Sequence, residues 1–191
     1  MRHTSIRELF DYWNERRGGR PVPERADIEP GAIRGVLADT FILSFEPGIG
    51  HPFRVAGTRV CALFGREIKG EAFLDLFSHA ARGEVRDLIA IIAHESVGVV
   101  ASATELNAGG RGPALELLLL PLSCHGRTDA RLLGALAPSE PPDWLGTRAL
   151  CGLALGTYRF LGRSAAAPAI AAVIPDGRVR YGFVVYDGGQ C

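Results

Sequence analysis

The sequence predicts an α+β fold, in which helices cover one face of an antiparallel sheet. Short segments of alternating apolar and polar residues are separated by turns rich in Gly and Pro, which is typical of hairpin-connected strands. Two longer segments have apolar residues at helical spacing, one before the strands and one between them. The chain has 191 residues, enough to bury a core without disulfides or metals.

Composition and charge exclude several functional classes. Lys and Arg together number 21, as do Asp and Glu, so the formal net charge is zero. We therefore expect neither nucleic acid nor an anionic membrane as a partner. The N-terminus has no apolar run of signal-peptide length, and the longest apolar run, residues 117–122, is too short to span a bilayer. We expect a cytoplasmic protein without a membrane span.

The cysteines are too scattered to indicate a metal site. They are Cys61, Cys124, Cys151 and Cys191. No CxxC motif occurs, so we predict free thiols and no structural zinc.

The N-terminal segment predicts an amphipathic helix. Ser5 and Glu8 match a capping box, and Gly18 follows the last turn. The apolar stripe consists of Ile6, Leu9, Phe10 and Trp13. This stripe either packs on its own domain or forms a contact between two copies. We take it as the predicted interface of a homodimer.

The next segments predict a hairpin followed by short helices. Residues 20–30 are a Pro- and Arg-rich loop leading into a short helix near Ile33. Residues 39–46 alternate like a half-buried strand, and residues 53–56 are its expected hairpin partner. Thr58 is the expected N-cap of a short helix that ends before a glycine.

The second half predicts one long helix and a three-stranded meander. The helix is expected from Ser78 to Glu95, with strands at 97–106, 114–122 and 131–137. Leucines on both faces of the middle segment indicate a central strand. Beyond the Pro-rich segment 138–142, Trp144 to Gly162 fits either a strand or a loose helix, and the tail predicts a hairpin about residues 175–177.

This order of elements resembles that of a PAS domain. The residues that carry the resemblance are Trp13, Arg16, the segment PERADIEP at 23–30, Phe53, Arg54, Ala56, Gly57, Thr58, Gly65, Gly70, Leu120, Pro121, Leu122, Leu133, Gly134 and the segment YDGG at 186–189. As an ordered set they are similar to a family of stand-alone bacterial PAS-domain proteins, of the kind common in alphaproteobacteria. The resemblance implies a five-stranded antiparallel sheet in a core at 39–138, a helical extension at 1–38, and a linker and C-terminal extension at 139–191.

The resemblance also implies a sensory or regulatory module in signal transduction. Such a module acts by protein–protein interaction with a signalling partner, and a small ligand between sheet and helices can modulate it. Two alternatives stay open: a small α+β enzyme or ligand-binding protein with chemistry in the same cavity, and a purely structural adaptor. No GxSxG, P-loop or HExxH motif occurs, so we predict no enzyme, no catalytic residue and no metal.

PAS domains that bind cofactors hold them between the sheet and the helices. By position, the predicted ligand-binding residues are Val55, Thr58, Arg59, Phe64, Arg66, Phe73, Leu74, Leu88, Ile92, His94, Leu118 and Leu120. Of these, Thr58, Arg59, Arg66 and His94 would orient the ligand. The alternative is that the apolar members fill the space themselves.

We expect no cofactor. A photoactive flavin needs a cysteine that follows an asparagine in the short helices, and Cys61 lacks that context. Haem needs an axial histidine on the long helix, where His79 and His94 are the candidates, one near each end.

Overall fold

The computed structural model describes residues 1–106, 113–140, 145, 148–161, 178–180 and 183–185. The helices are α1 (Thr4–Arg17), α2 (Thr58–Phe64) and α3 (Arg82–Glu95). The strands are β1 (Thr40–Ser44), β2 (Phe53–Ala56), β3 (Gly98–Glu105), β4 (Ala114–Cys124), β5 (Arg127–Pro138), β6 (Leu153–Leu161), β7 (Arg178–Arg180) and β8 (Phe183–Val185). Short 3-10 turns lie at Arg25–Asp27, Pro30–Ile33, Leu37–Asp39, Pro47–Ile49 and Phe73–Leu76. In the described part of the chain, no helix is long and apolar enough to cross a membrane.

Strands β1 to β6 form one antiparallel sheet in the order β2-β1-β5-β4-β3-β6. The predicted α+β class is therefore confirmed, and β4 and β5 are central, as the leucines on both faces of β4 indicated. The sheet has one strand more than predicted, because β6 pairs with β3 from Gly98–Leu161 to Glu105–Leu153. Strand β1 is buried throughout rather than half-buried, since both faces of the sheet are covered.

The inner face of the sheet packs against α2, α3 and the 3-10 turn Phe73–Leu76. Four phenylalanines lie at the centre of this inner core. The ring centroids are 5.4 Å apart for Phe41 and Phe53, 5.7 Å for Phe53 and Phe73, and 5.2 Å for Phe73 and Phe77. All three pairs are edge-to-face, which adds to the stabilisation from burial alone.

The outer face of the sheet packs against α1, which lies over β4 and β5. Ile6, Leu9 and Trp13 have no exposed surface, and the Trp13 indole donates a hydrogen bond of 2.9 Å to the Pro121 carbonyl. The prediction that these three residues face a second copy is therefore wrong: they are inside one chain. Phe10 is half-buried and is the member of the stripe that another molecule can still reach.

The start of α1 is tied to α2 through a buried carboxylate. The N-cap is His3, whose Nδ1 accepts from the Ser5 amide, so the predicted Ser5 cap is wrong. Ser5 Oγ instead donates to Asp39 Oδ2 at 2.5 Å. Arg59 donates to both oxygens of the same carboxylate at 2.6 Å, and the Asp39 side chain is 1% exposed. This trio joins α1, the 3-10 turn before β1, and α2.

Two glycines of the PAS-like motif lie where no side chain fits. A Cβ at Gly134 would lie 2.3 Å from the Phe41 ring, and a Cβ at Gly57 would lie 2.2 Å from the Leu37 carbonyl oxygen. Gly134 leaves room for the ring of Phe41, its partner on β1, and Gly57 lets the chain turn from β2 into α2 against the Leu37–Asp39 turn. The helix N-cap is Gly57 rather than the predicted Thr58.

The C-terminal extension covers both the short helices and the edge of β3. The Leu150 amide donates to the Leu63 carbonyl at 2.7 Å, and the Ser78 amide donates to the Leu153 carbonyl at 2.9 Å. Arg148 binds the buried carboxylate of Glu105. The ambiguous segment between 144 and 162 thus contains a strand, β6, that completes the sheet.

The tail contains a hairpin in which β7 pairs with β8, so its turn follows Arg180 and is not the predicted turn about residues 175–177. Residues 175–177, where we expected the turn, lie outside the described residues, as does the glycine-rich segment 107–112.

Candidate functional site

The predicted site between sheet and helices is filled with side chains. Five of the predicted ligand-binding residues are at most 3% exposed and belong to the inner core: Phe64, Phe73, Leu74, Leu88 and Ile92. The phenylalanine contacts described above occupy the centre of the same layer. These residues pack against one another, as the alternative prediction held.

Leu118 and Leu120 were predicted on the wrong face. They lie in the outer core with Trp13 and Leu133, whereas Leu117 and Leu119 face the inner core. Successive side chains of a strand point to opposite faces, so an assignment wrong by one residue moves the whole set. The unbroken leucines of β4 carry no alternation from which the faces can be read.

Two predicted ligand-orienting arginines are already paired. Arg59 holds Asp39, as described above. Arg66 makes a two-point contact with Glu71, at 3.0 and 2.8 Å, on an exposed part of the surface. The hydrogen bonds from Arg66 hold the pKa of Glu71 below its ordinary value. Both arginines stabilise the fold, and neither points a free guanidinium into the inner core.

His94 lies on the exposed side of α3 near its C-terminal end. It borders a shallow pocket of about 400 Å³ with Ile91 and Phe160, between α3 and β6. The inner core is on the opposite side of the helix, so His94 does not reach the predicted cavity.

A larger pocket lies on the outer face, at the β1–β2 edge of the sheet. It has a volume of about 560 Å³. We call it the outer pocket and define it by Arg25, Ile33, Arg34, Leu37, Ile42 and Val55, which are among its lining residues. Two of the predicted site residues, Val55 and Thr58, line this pocket rather than the interior.

The outer pocket is positioned by strand register. Ile42 of β1 pairs with Val55 of β2 on one side and with Leu133 of β5 on the other. These three side chains form an apolar row across the outer face. Helix α1 covers β4 and β5. It does not extend to β2, so the β2 end of this row is left uncovered by the helix. Val55, on the edge strand, is 52% exposed as a result.

The opposite wall of the outer pocket is the chain between α1 and β1. We predicted one short helix there, but the structure has three consecutive 3-10 turns between Arg25 and Asp39. Ile33 is buried against the sheet, while Leu37 is 36% exposed. An exposed leucine and an exposed valine thus both line an apolar groove, which is typical of a binding site.

Charge in the outer pocket has one sign. Arg25 and Arg34 line it, and no lining residue is acidic. Arg25 is half-buried and donates to the Ile28 carbonyl at 3.3 Å. Within the described ranges, neither arginine forms a salt bridge. Residue spacing did not indicate this wall of the site, because 3-10 turns have no apolar periodicity and the arginines lie far from β2 along the chain.

The sheet order β2-β1-β5-β4-β3, with short helices and one long helix between β2 and β3, defines an α+β domain of the PAS type. A family model described as PAS domain matches residues 1–137. The chain therefore belongs to the PAS domain family, and the resemblance to a PAS domain is confirmed. No curated protein matches the sequence. The match begins before α1 and ends within β5, so α1 is part of the family's unit and β6 follows it.

Proposed function

We propose that the protein is a non-catalytic regulatory module, and that a small ligand regulates it from the outer pocket rather than from between sheet and helices. PAS domains are sensory and regulatory modules. The observation that supports the outer location is the contrast between the two faces. The inner layer is filled by its own aromatic side chains, whereas the outer pocket is open, apolar and of ligand size.

The chemistry of the outer pocket favours binding over catalysis. Its lining includes no His, Cys, Asp, Glu or Lys, so none of the usual general acids and bases lies in it. The arginines keep their charge at any physiological pH and cannot exchange protons with a substrate. Thr40 and Thr58 contribute hydroxyls, without a base to activate them.

The outer pocket is mechanically connected to two helices. Its wall ends in the Leu37–Asp39 turn, and Asp39 binds both Ser5 at the start of α1 and Arg59 on α2. A ligand that displaces this wall therefore acts on both helices through one buried carboxylate. We propose that a partner protein binds to the displaced and undisplaced forms with different affinity.

Homodimerisation of the protein stays a prediction, and a monomer mass in light scattering would contradict it.

Methyl NMR tests the location of the site. The full chain, labelled at its Ile, Leu and Val methyl groups, is titrated with octan-1-ol as a neutral apolar probe. We expect shift changes at Val55, Leu37 and Ile33, and none at Leu88 or Ile92.

A matched pair of variants makes this test specific. Val55→Trp fills the groove and should abolish the shift changes. Ile49→Trp is the control, since Ile49 is 61% exposed and does not line the pocket. Shift changes centred on Leu88 and Ile92 would overturn the outer location, and so would unchanged binding by Val55→Trp.

A further inference from the structure

Resting on the proposed function, we propose that the outer pocket takes a small carboxylate with an apolar body, and that Arg25 binds the carboxylate. The chemistry of the lining residues separates into two parts. The floor is the apolar row of Val55, Ile42 and Leu133, and the wall holds two arginines. A ligand complementary to both parts has one apolar end and one anionic end.

Arg25 is the better placed of the two arginines. It is half-buried, and one donor, Nη1, contacts the Ile28 carbonyl at 3.3 Å, at the long end of hydrogen-bond distances. This leaves further N–H donors of a planar group whose geometry matches a carboxylate. Arg34 is exposed, so its contribution is a screened attraction at the mouth of the pocket.

The acidic residues next to Arg25 in sequence are already engaged. Asp27 accepts from Arg20 at 2.6 Å and from the Glu24 amide at 3.0 Å. Glu24 accepts from the Gly126 amide at 3.2 Å. Neither carboxylate forms an ion pair with Arg25, so within the described ranges the guanidinium has no internal counter-ion. An external anion would supply one.

The size of the pocket limits the apolar part of the ligand. A volume of about 560 Å³ lies within the usual range for small-molecule sites and is far too small for a folded partner. A medium-chain fatty acid or an aromatic acid satisfies both the volume and the charge. The apolar contact with the exposed part of Val55 supplies affinity, and Arg25 supplies discrimination against neutral analogues.

The test compares two probes that differ only in the head group, octanoate and octan-1-ol, by methyl NMR at pH 7.5 with the full chain. We expect octanoate to bind at least tenfold more tightly than the alcohol, since a charge-assisted contact is worth about that factor. Raising the NaCl concentration should weaken the binding of octanoate and leave the binding of octan-1-ol unchanged, because salt screens only the charged contact.

Variants of Arg25 test whether this residue binds the carboxylate head group of octanoate. Arg25→Gln should reduce octanoate affinity about tenfold and leave octan-1-ol affinity unchanged. Arg25→Lys should recover part of the loss, because it keeps the charge and loses the planar geometry. Arg54→Gln is the control: Arg54 is exposed, lies next to Val55 and does not line the pocket.

The outcomes separate the two proposals. Equal affinity for the two probes at the outer pocket overturns the carboxylate inference and leaves the location intact. Failure of both probes to perturb Val55 and Leu37 overturns both. Full octanoate binding by Arg25→Gln, with native thermal unfolding, overturns the assignment of Arg25.

Discussion

Removing the guanidinium of Arg59 should destabilise the protein much more than removing that of Arg66. Both arginines make two-point contacts with a carboxylate, at 2.6 and 2.6 Å for Asp39 and at 3.0 and 2.8 Å for Glu71. The acceptors differ in exposure, 1% for the Asp39 side chain and 35% for that of Glu71. Comparing the two variants therefore isolates the effect of carboxylate burial on the free energy of unfolding.

The expected losses in the free energy of unfolding depend on how well water can solvate the carboxylate that loses its partner. In Arg59→Met, the Asp39 carboxylate keeps only Ser5 as a side-chain partner and stays inside the protein. Breaking a buried pair in this way costs about 3–5 kcal/mol. Because the Arg59 side chain is 46% exposed and water can partly replace it, we expect about 2–3 kcal/mol. For Arg66→Met, an exposed pair, we expect less than about 1 kcal/mol.

Urea denaturation, followed by far-UV circular dichroism, gives the free energy of unfolding of each variant. Adding Asp39→Asn to Arg59→Met should recover part of the lost stability, since the second substitution removes the buried charge that Arg59 no longer compensates. Equal losses of under about 1 kcal/mol in the two single variants would refute the reasoning, because burial of the carboxylate would then have no effect.

Two further predictions concern close packing and pH. Gly134→Ala places a methyl 2.3 Å from the Phe41 ring and should cost about 2–3 kcal/mol in urea denaturation, whereas Gly83→Ala, in open space on α3, should be neutral or stabilising. A Gly134→Ala variant as stable as the parent would contradict the register of β1 with β5. His51 is 1% exposed and its Nδ1 has no hydrogen-bond partner. Burial lowers its pKa, with Arg86 acting in the same direction and the Ser44 backbone and Glu46 opposing. The unfolded chain thus binds the proton more readily, so the free energy of unfolding should fall as pH drops through about 6.5. The φ of His51 is +59°, in the left-handed region, which Asn tolerates. His51→Asn should therefore flatten this dependence between pH 7.5 and 5.5; an unchanged slope would show that His51 is not its source.

Hydrophobic periodicity predicted most of the sheet and helices. Alternation in β1 and β3, and helical spacing in α1 and α3, are local properties of the chain, so the elements appear within a few residues of their predicted positions. Which surface an element contacts is not a local property. The stripe of α1 fits a second copy and its own sheet equally well, and only the assembled sheet shows that Trp13 is buried in the same chain.

The candidate site was predicted poorly for identifiable reasons. Leucines on both faces of β4 hide which of them point to the inner core. Val55 lies two residues after Phe53, the spacing of one strand face, but an irregular register between β1 and β2 places Val55 on the outer face at the sheet edge. Arg25 lies in irregular 3-10 structure whose position depends on packing against that edge. None of these facts is encoded in the spacing of apolar residues, from which the faces of the strands and helices were predicted.

A crystal structure of the full chain grown with octanoate would show directly which face of the sheet the ligand occupies. We predict the carboxylate within hydrogen-bond distance of Arg25 and the alkyl chain over Ile42 and Val55, with the four inner phenylalanines unmoved. Octanoate between α3 and the sheet, with Phe73 or Leu88 displaced to admit it, would contradict the account.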